Sequence, residues 1–140
     1  IYRSEFRPSK KFLKPLVNVC MWALTANTNE EAKYLFASRA AWKIGRNYGQ
    51  LGSITDPDNA LSIINDNGWT EQYQNMYQNS LVGDANITKN KISNLVEENN
   101  IDEIAILTWC HNENHRIKSY EIFANAFELS EKREPEKSTI

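Results

Sequence analysis

Two long apolar segments constrain the fold of this chain more than any other feature. Residues 16–24 and residues 103–109 are rich in valine, isoleucine, leucine and alanine, with no strict alternation of apolar and polar positions. This pattern is typical of strands that are buried on both faces of a parallel sheet. The sequence between them has mainly helical periodicity. Strands joined by helical crossovers predict an α/β fold with parallel strands.

Local capping signals predict the helices between the two strands. Thr28 and Glu31 stand at capping-box spacing and predict a first helix, which ends near Gly45. Asp56, followed by proline, predicts a second helix, and Thr70 predicts the start of a third. The second and third helices are polar and rich in Asn and Gln, so we expect them on the outside of the fold.

Two further helices flank the second strand. Residues 80–83 form a short apolar approach to Asp84, which predicts an N-cap for a helix that runs to about Glu98. The last helix begins after Asn112 or Asn114. Its predicted inner face consists of apolar residues at helical spacing, namely Ile117, Tyr120, Ala124 and Phe127.

The predicted domain covers residues 1–130, and the charged residues 131–140 are predicted to form a disordered tail. Two parallel strands alone leave both edges of a sheet open, which favours association with another chain. The first seven residues also read like the end of a helix that Pro8 stops. We therefore expect the chain to be part of a larger sheet.

Composition excludes several classes of function. The 16 basic and 18 acidic residues give a net charge of −2, which provides no basic face for nucleic acid or an anionic membrane. No apolar run is long enough to cross a membrane. Cys20 and Cys110 lie in apolar stretches and form no metal-binding or redox motif, so we interpret them as reduced core thiols of a cytoplasmic protein.

Several motifs, taken in order, resemble one family. They are Tyr2-Arg3 with Phe6 and Pro8-Ser9, the run from Ala26 to Ala32 after the first strand, Leu81 to Asp84 before a helix, Ile101 to Ile104, and His115-Arg116 with Ser119 to Ile122 and Ala124. Together they are similar to the C-terminal part of the luciferase-like, flavin-dependent monooxygenases. The resemblance implies that the two strands are the last two of a (β/α)₈ barrel, with extra helices inserted between them.

The resemblance also implies a function for the intact protein. Reduced FMN and O₂ would oxygenate a small organic substrate, such as an aldehyde, as in the alkanal monooxygenases. The family's flavin-phosphate site and main catalytic residues would lie outside this chain, so no catalytic residue is assigned here. We expect this fragment to bind FMN weakly or not at all and to be inactive alone.

Two alternatives remain open at this point. The chain could be a non-catalytic relative that acts as a structural or binding module and self-associates through its open strand edges. It could also be a small α/β binding domain unrelated to the family. Flavin binding and oligomeric state separate the first alternative from the enzyme hypothesis.

Candidate pocket residues follow from the position of the strands. Chemistry in a barrel takes place at the carboxyl ends of the strands, which selects Trp22, Thr108, Trp109 and His111 as residues that line a substrate pocket. The competing interpretation is that both tryptophans fill the core. His111 and His115 have the spacing of a helical metal pair, but no third ligand is evident and a helix start falls between them, so no metal site is predicted.

Overall fold

A computed structural model of the chain describes residues 1–129, so the tail predicted for residues 131–140 lies outside the described residues. Within these residues, six helices and three strands follow one another. In order, they are α1 (Tyr2–Glu5), β1 (Asn18–Thr25), α2 (Asn29–Asn47), α3 (Pro57–Asp66), α4 (Thr70–Gln78), β2 (Leu81–Gly83), α5 (Ala85–Asn99), β3 (Glu103–Leu107) and α6 (Glu113–Ala126).

The three strands form one parallel sheet with β1 at its centre. β3 pairs with the first part of β1, from Asn18 opposite Glu103 to Trp22 opposite Leu107. The predicted α/β fold with two adjacent parallel strands is therefore confirmed. β3 is an edge strand of this sheet, so its outer edge has no partner among residues 1–129.

The short strand β2 corrects one prediction. Residues 80–83 are more than an approach to a helix, because Leu81 to Gly83 pair with Ala23 to Thr25 on the other edge of β1. Three residues are too few to show a strand pattern in a sequence, and the pairing partner lies more than fifty positions away. The signal that creates this strand is therefore non-local.

Burial of the strands differs from the prediction that both faces are covered. Ala23, Leu24 and Thr25, at the carboxyl end of β1, are almost fully buried. In the first part of the sheet, burial alternates instead, and Leu107 is 48% exposed. One face packs on α5 and α6 through Ile104 and Ile106, whereas the opposite face is exposed. That exposed face carries Asn18, Cys20, Glu103, Ala105 and Leu107, so the prediction that Cys20 is a core thiol was wrong.

The predicted helix starts are confirmed by hydrogen bonds at the N-caps. The side chains of Thr28, Asp56 and Asp84 each accept a hydrogen bond from the backbone N–H three residues later. Asn112, one of the two predicted caps of the last helix, accepts a bond from the N–H of Asn114 at 2.8 Å. Such caps depend only on neighbouring residues, which is why the sequence predicts them well.

Helices α3 and α4 are not simply external, and this prediction was wrong. Both pack against α2, and the larger apolar core lies among these three helices. Ala60 and Ile64 of α3 and Tyr73 of α4 are buried there. The few apolar residues of each helix fall on one side, so their polar composition describes only the outer side.

The inner face of α6 also differs from the prediction. Ser119 and Phe123 are buried, whereas Ile117 and Tyr120 are 49% and 38% exposed. The Ser119 hydroxyl accepts a hydrogen bond from the backbone N–H of Thr25 at 3.0 Å. That bond points Ser119 toward the sheet and turns Ile117 away from it. In the part of the chain that the structure describes, no helix is long and apolar enough to cross a membrane.

Candidate functional site

Trp22 and Trp109 meet at the carboxyl ends of β1 and β3. Their ring centroids are 6.1 Å apart at an interplanar angle of 63°. The indole Nε1–H of Trp22 donates a hydrogen bond to the backbone carbonyl of Trp109 at 3.2 Å. Parallel pairing of the strands explains this meeting, because it brings their carboxyl ends to the same end of the sheet. The structure therefore places two of the predicted pocket residues together.

Arg39 of α2 lies in the notch between these two rings. Its guanidinium carbon is 4.2 Å from the ring centroid of Trp22 and 4.3 Å from that of Trp109. Partial burial lowers the pKa of this guanidinium from its ordinary value. Within residues 1–129, Arg39 forms neither a salt bridge nor a hydrogen bond. We call Trp22, Arg39, Trp42 and Trp109 the tryptophan–arginine cluster.

Trp42 completes the cluster one turn along α2. Its ring stands edge-on to that of Trp109, with centroids 5.5 Å apart and an interplanar angle of 84°. Its Nε1–H donates to the carbonyl of Gly52 at 3.0 Å, and Arg46 lies 5.0 Å above its ring. Arg39 was not predicted as a site residue, because no linear motif connects it to either strand. Its spacing to Trp42 and Arg46 on one side of a helix was an available signal.

Thr108 connects the sheet to α6. It is 1% exposed, and its hydroxyl donates a hydrogen bond to the carbonyl of Ala23 at 2.7 Å. Its backbone N–H donates to the hydroxyl of Tyr120 at 2.8 Å. The residue thus holds the ends of β1 and β3 in register beside the cluster. Its predicted role as a pocket-lining residue stays a prediction.

His111 is exposed and lies in a separate cleft. The cleft is bounded by α2, the start of α3 and the start of α6, and Tyr34, Asp56 and His115 also line it. The pKa of Asp56 is lowered, chiefly by hydrogen bonds from Asn59 and to a smaller extent by His111. No group of three or more potential metal ligands occurs among the residues that the structure describes.

Two cleft residues have unusual surroundings. Ser38 is 1% exposed, and its hydroxyl has no hydrogen-bond partner in the described part of the chain. Burial raises the pKa of the Cys110 thiol, which opposes formation of a reactive thiolate. The thiol contacts the carbonyl of Asn112 at 3.2 Å. These features give the cleft a polar lining.

Taken together, the fold and the cluster define an α/β unit that presents aromatic and cationic groups at the carboxyl ends of parallel strands. This is the end at which α/β proteins bind ligands. The arrangement lacks a paired carboxylate, a Ser–His–Asp triad or a metal centre within residues 1–129.

Comparison with known proteins agrees with the predicted resemblance. No family model matches the chain. The luciferase-like monooxygenase of Escherichia coli strain K12 is 29% identical over 126 residues, which cover 87% of this chain and 36% of the relative. The protein of the same name from Escherichia coli O6:H1 matches with the same values. The chain thus spans about a third of the length of these relatives.

A solved structure extends the agreement to the fold. The crystal structure of apo-MsnO8 superposes with a TM-score of 0.80, covering 94% of this chain and 40% of that protein, at 19% identity. At this identity the superposition shows a shared fold. The resemblance recognised from the sequence motifs is confirmed, because the chain is similar to two curated proteins named luciferase-like monooxygenase.

Proposed function

We propose that the chain forms the C-terminal wall of an FMN-dependent, luciferase-like monooxygenase built on a (β/α)₈ barrel. β1 and β3 would be its last two strands, and the helices between them would be insertions. The observation that carries this proposal is the tryptophan–arginine cluster at the carboxyl ends of both strands. In barrel enzymes, that end of the strands holds the substrate.

The exposed surfaces of the sheet support the barrel. The face with Cys20, Ala105 and Leu107 is uncovered within residues 1–129, and the outer edge of β3 is free there. In a complete barrel, this face would line the barrel interior, and this edge would pair with the first strand of the barrel. Because the chain spans 36% of its curated relatives, much of such a barrel would have to come from sequence beyond the matched region.

The residues present fit only part of a flavin. The indole rings of Trp22 and Trp109 offer planar apolar surface of the kind that borders an aromatic ring system. A phosphate cradle is not evident, because Asp84 caps α5 with its own carboxylate and would repel an anion there. When bound, reduced flavin would supply the oxygenation chemistry with O₂. The residues of this chain would orient a ligand and exclude water.

Three further properties belong to the proposal. The intact protein would act on a small organic substrate, such as an aldehyde, in the cytoplasm. The 140-residue chain alone would bind FMN weakly or not at all, since no phosphate cradle is evident within residues 1–129. It would also be inactive alone, because none of its described residues supplies acid–base or nucleophilic catalysis at the cluster.

A second candidate function is a non-catalytic, self-associating module. An apolar groove beside the free edge of β3 favours it, since exposed apolar surface next to an unpaired edge promotes association. The groove is lined by Ile92, Ile104, Ile106, Tyr120, Phe123 and Phe127. In this case two copies would cover each other's grooves, and no flavin would be needed.

Size-exclusion chromatography with light scattering, combined with the visible absorbance of oxidised flavin, tests the first proposal on the purified chain. We expect no co-eluting flavin after incubation with FMN and no aldehyde- or NADH-dependent oxygenation. Stoichiometric FMN together with turnover would contradict the proposed inactivity. A stable dimer without flavin, from an open reading frame that encodes no further barrel, would favour the module.

A further inference from the structure

We propose that Arg39 is an anion-binding group that takes the carboxylate or phosphate of a ligand at the carboxyl ends of β1 and β3. The proposal starts from geometry. The guanidinium lies 4.2 and 4.3 Å from two ring centroids that are themselves 6.1 Å apart. The two rings, inclined to each other by 63°, therefore border the group on two sides, and Arg39 as a whole is only partly buried.

The donors of Arg39 have no acceptor in the described part of the chain. A guanidinium carries five N–H groups in a planar fork that matches a carboxylate or phosphate. Hydrogen-bonded ion pairs of this kind are stronger than neutral hydrogen bonds, and two parallel bonds fix the orientation of the anion. Contact with the indole rings compensates part of the lost hydration of the cation, but it satisfies none of the N–H donors.

The surroundings of Arg39 are positive. Arg39, Lys43 and Arg46 follow one another at intervals of four and three residues, so they lie on the same side of α2. From Ala32 to the end of α2 the helix contains no acidic residue. An anion that approaches the cluster thus meets three cations and no opposing carboxylate from this helix.

The rings restrict which anions fit. Trp22 and Trp109 place apolar surface beside the cation, and Trp42 extends that surface. A ligand with a short apolar body and one terminal oxyanion would contact both kinds of group. Binding by this chain is independent of the barrel hypothesis. Only the assignment of the anion to the substrate or cofactor of a monooxygenase rests on the proposed function.

A titration followed by ¹H–¹⁵N NMR tests the site on the 140-residue chain. The four indole N–H signals report separately on the cluster tryptophans and on Trp69, which stacks on Tyr48 away from the strand ends. The probes are hexanoate, inorganic phosphate and the uncharged 1-hexanol, at constant ionic strength. We expect saturable shifts of Trp22 and Trp109 with at least one anion, and little change at Trp69.

Variants separate the site from general charge effects. Arg39→Gln should weaken anion binding by about tenfold, the loss expected for a charge-assisted pair. Arg39→Lys, which keeps the charge but not the fork, should bind with intermediate affinity. The matched control is Lys33→Gln on the same helix, which removes one cation beside the tyrosine rings of α4 and should leave binding within about twofold.

The outcomes are distinct. Tighter binding of hexanoate identifies the site as one for a carboxylate, and tighter binding of phosphate identifies it as one for a phosphate. The proposal is overturned if neither anion gives a saturable shift. It is also overturned if Arg39→Gln binds as tightly as the unmodified chain while its Trp69 signal shows that it is folded. Failure of the longer protein to bind FMN would affect the proposed function and leave this site intact.

Discussion

Replacement of Gly83 by alanine should destabilise the chain more than replacement of Gly52 or Gly68 by alanine. A Cβ atom at this position would lie 2.7 Å from Cγ2 of Ile87 and 2.8 Å from Oδ1 of Asn29. The Asn29 oxygen cannot retreat freely, because it accepts a hydrogen bond from the backbone N–H of Asp84 at 3.2 Å. Gly83 also has a φ of +156°, which L-residues rarely adopt.

The expected magnitude combines two effects. Overpacking at a rigid site costs about 1–3 kcal/mol, and a disfavoured φ adds about 1 kcal/mol, so we expect a total of about 2–4 kcal/mol. Gly68 has a φ of +69° but open space around it, so Gly68→Ala isolates the backbone contribution of about 1 kcal/mol. Gly52 has neither constraint, and Gly52→Ala should change stability by less than about 1 kcal/mol.

Urea unfolding followed by far-ultraviolet circular dichroism measures all three variants. The midpoint should fall most for Gly83→Ala and least for Gly52→Ala, with similar slopes for the three proteins. A free energy of unfolding for Gly83→Ala that equals that of Gly52→Ala would refute the close contact between β2 and α5.

Substitutions at three other residues test hydrogen bonds and burial elsewhere in the fold. Thr108→Val leaves the carbonyl of Ala23 without its buried donor and should cost about 1–3 kcal/mol in urea unfolding, whereas Thr108→Ser should cost less. Burial raises the pKa of Tyr73 to about 12, so its contribution to stability is present below pH 10 and is lost as the pH rises through 12. Tyr73→Phe should therefore flatten the alkaline decline of the thermal midpoint, and an unchanged decline would argue against this burial. The backbone N–H of Val17 donates a hydrogen bond to Asp102, and this bond is the main cause that lowers the pKa of the carboxyl group. Stability is therefore lost as the pH falls below 3.8, and Asp102→Asn should reduce this acid dependence of the stability.

Local chemistry made much of the fold predictable. The caps at Thr28, Asp56 and Asp84 act within three residues, and all three mark real helix starts. The two apolar segments were also long enough to be recognised as parallel strands. The resemblance of the chain to luciferase-like monooxygenases followed from short motifs in a fixed order, because periodicity and composition do not identify a family.

Non-local contacts account for the errors. The hydrogen bond between Ser119 and the backbone of β1 determines which face of α6 is buried. The sequence also contains an apolar stripe through Ile117, which led to the wrong predicted face. The position of Arg39 depends on three separate elements that meet only in the folded chain. In both cases the sequence contains the necessary residues, but the contact that selects among alternatives arises from tertiary packing.

The most direct test of the central claim is an FMN titration of two proteins, the 140-residue chain and the product of the complete open reading frame that contains it. If the chain is one wall of a flavin-dependent barrel, the complete product binds one FMN per chain, and the 140-residue chain shows no saturable binding. Saturable, stoichiometric binding by the 140-residue chain would contradict the account, as would a complete product that binds no flavin.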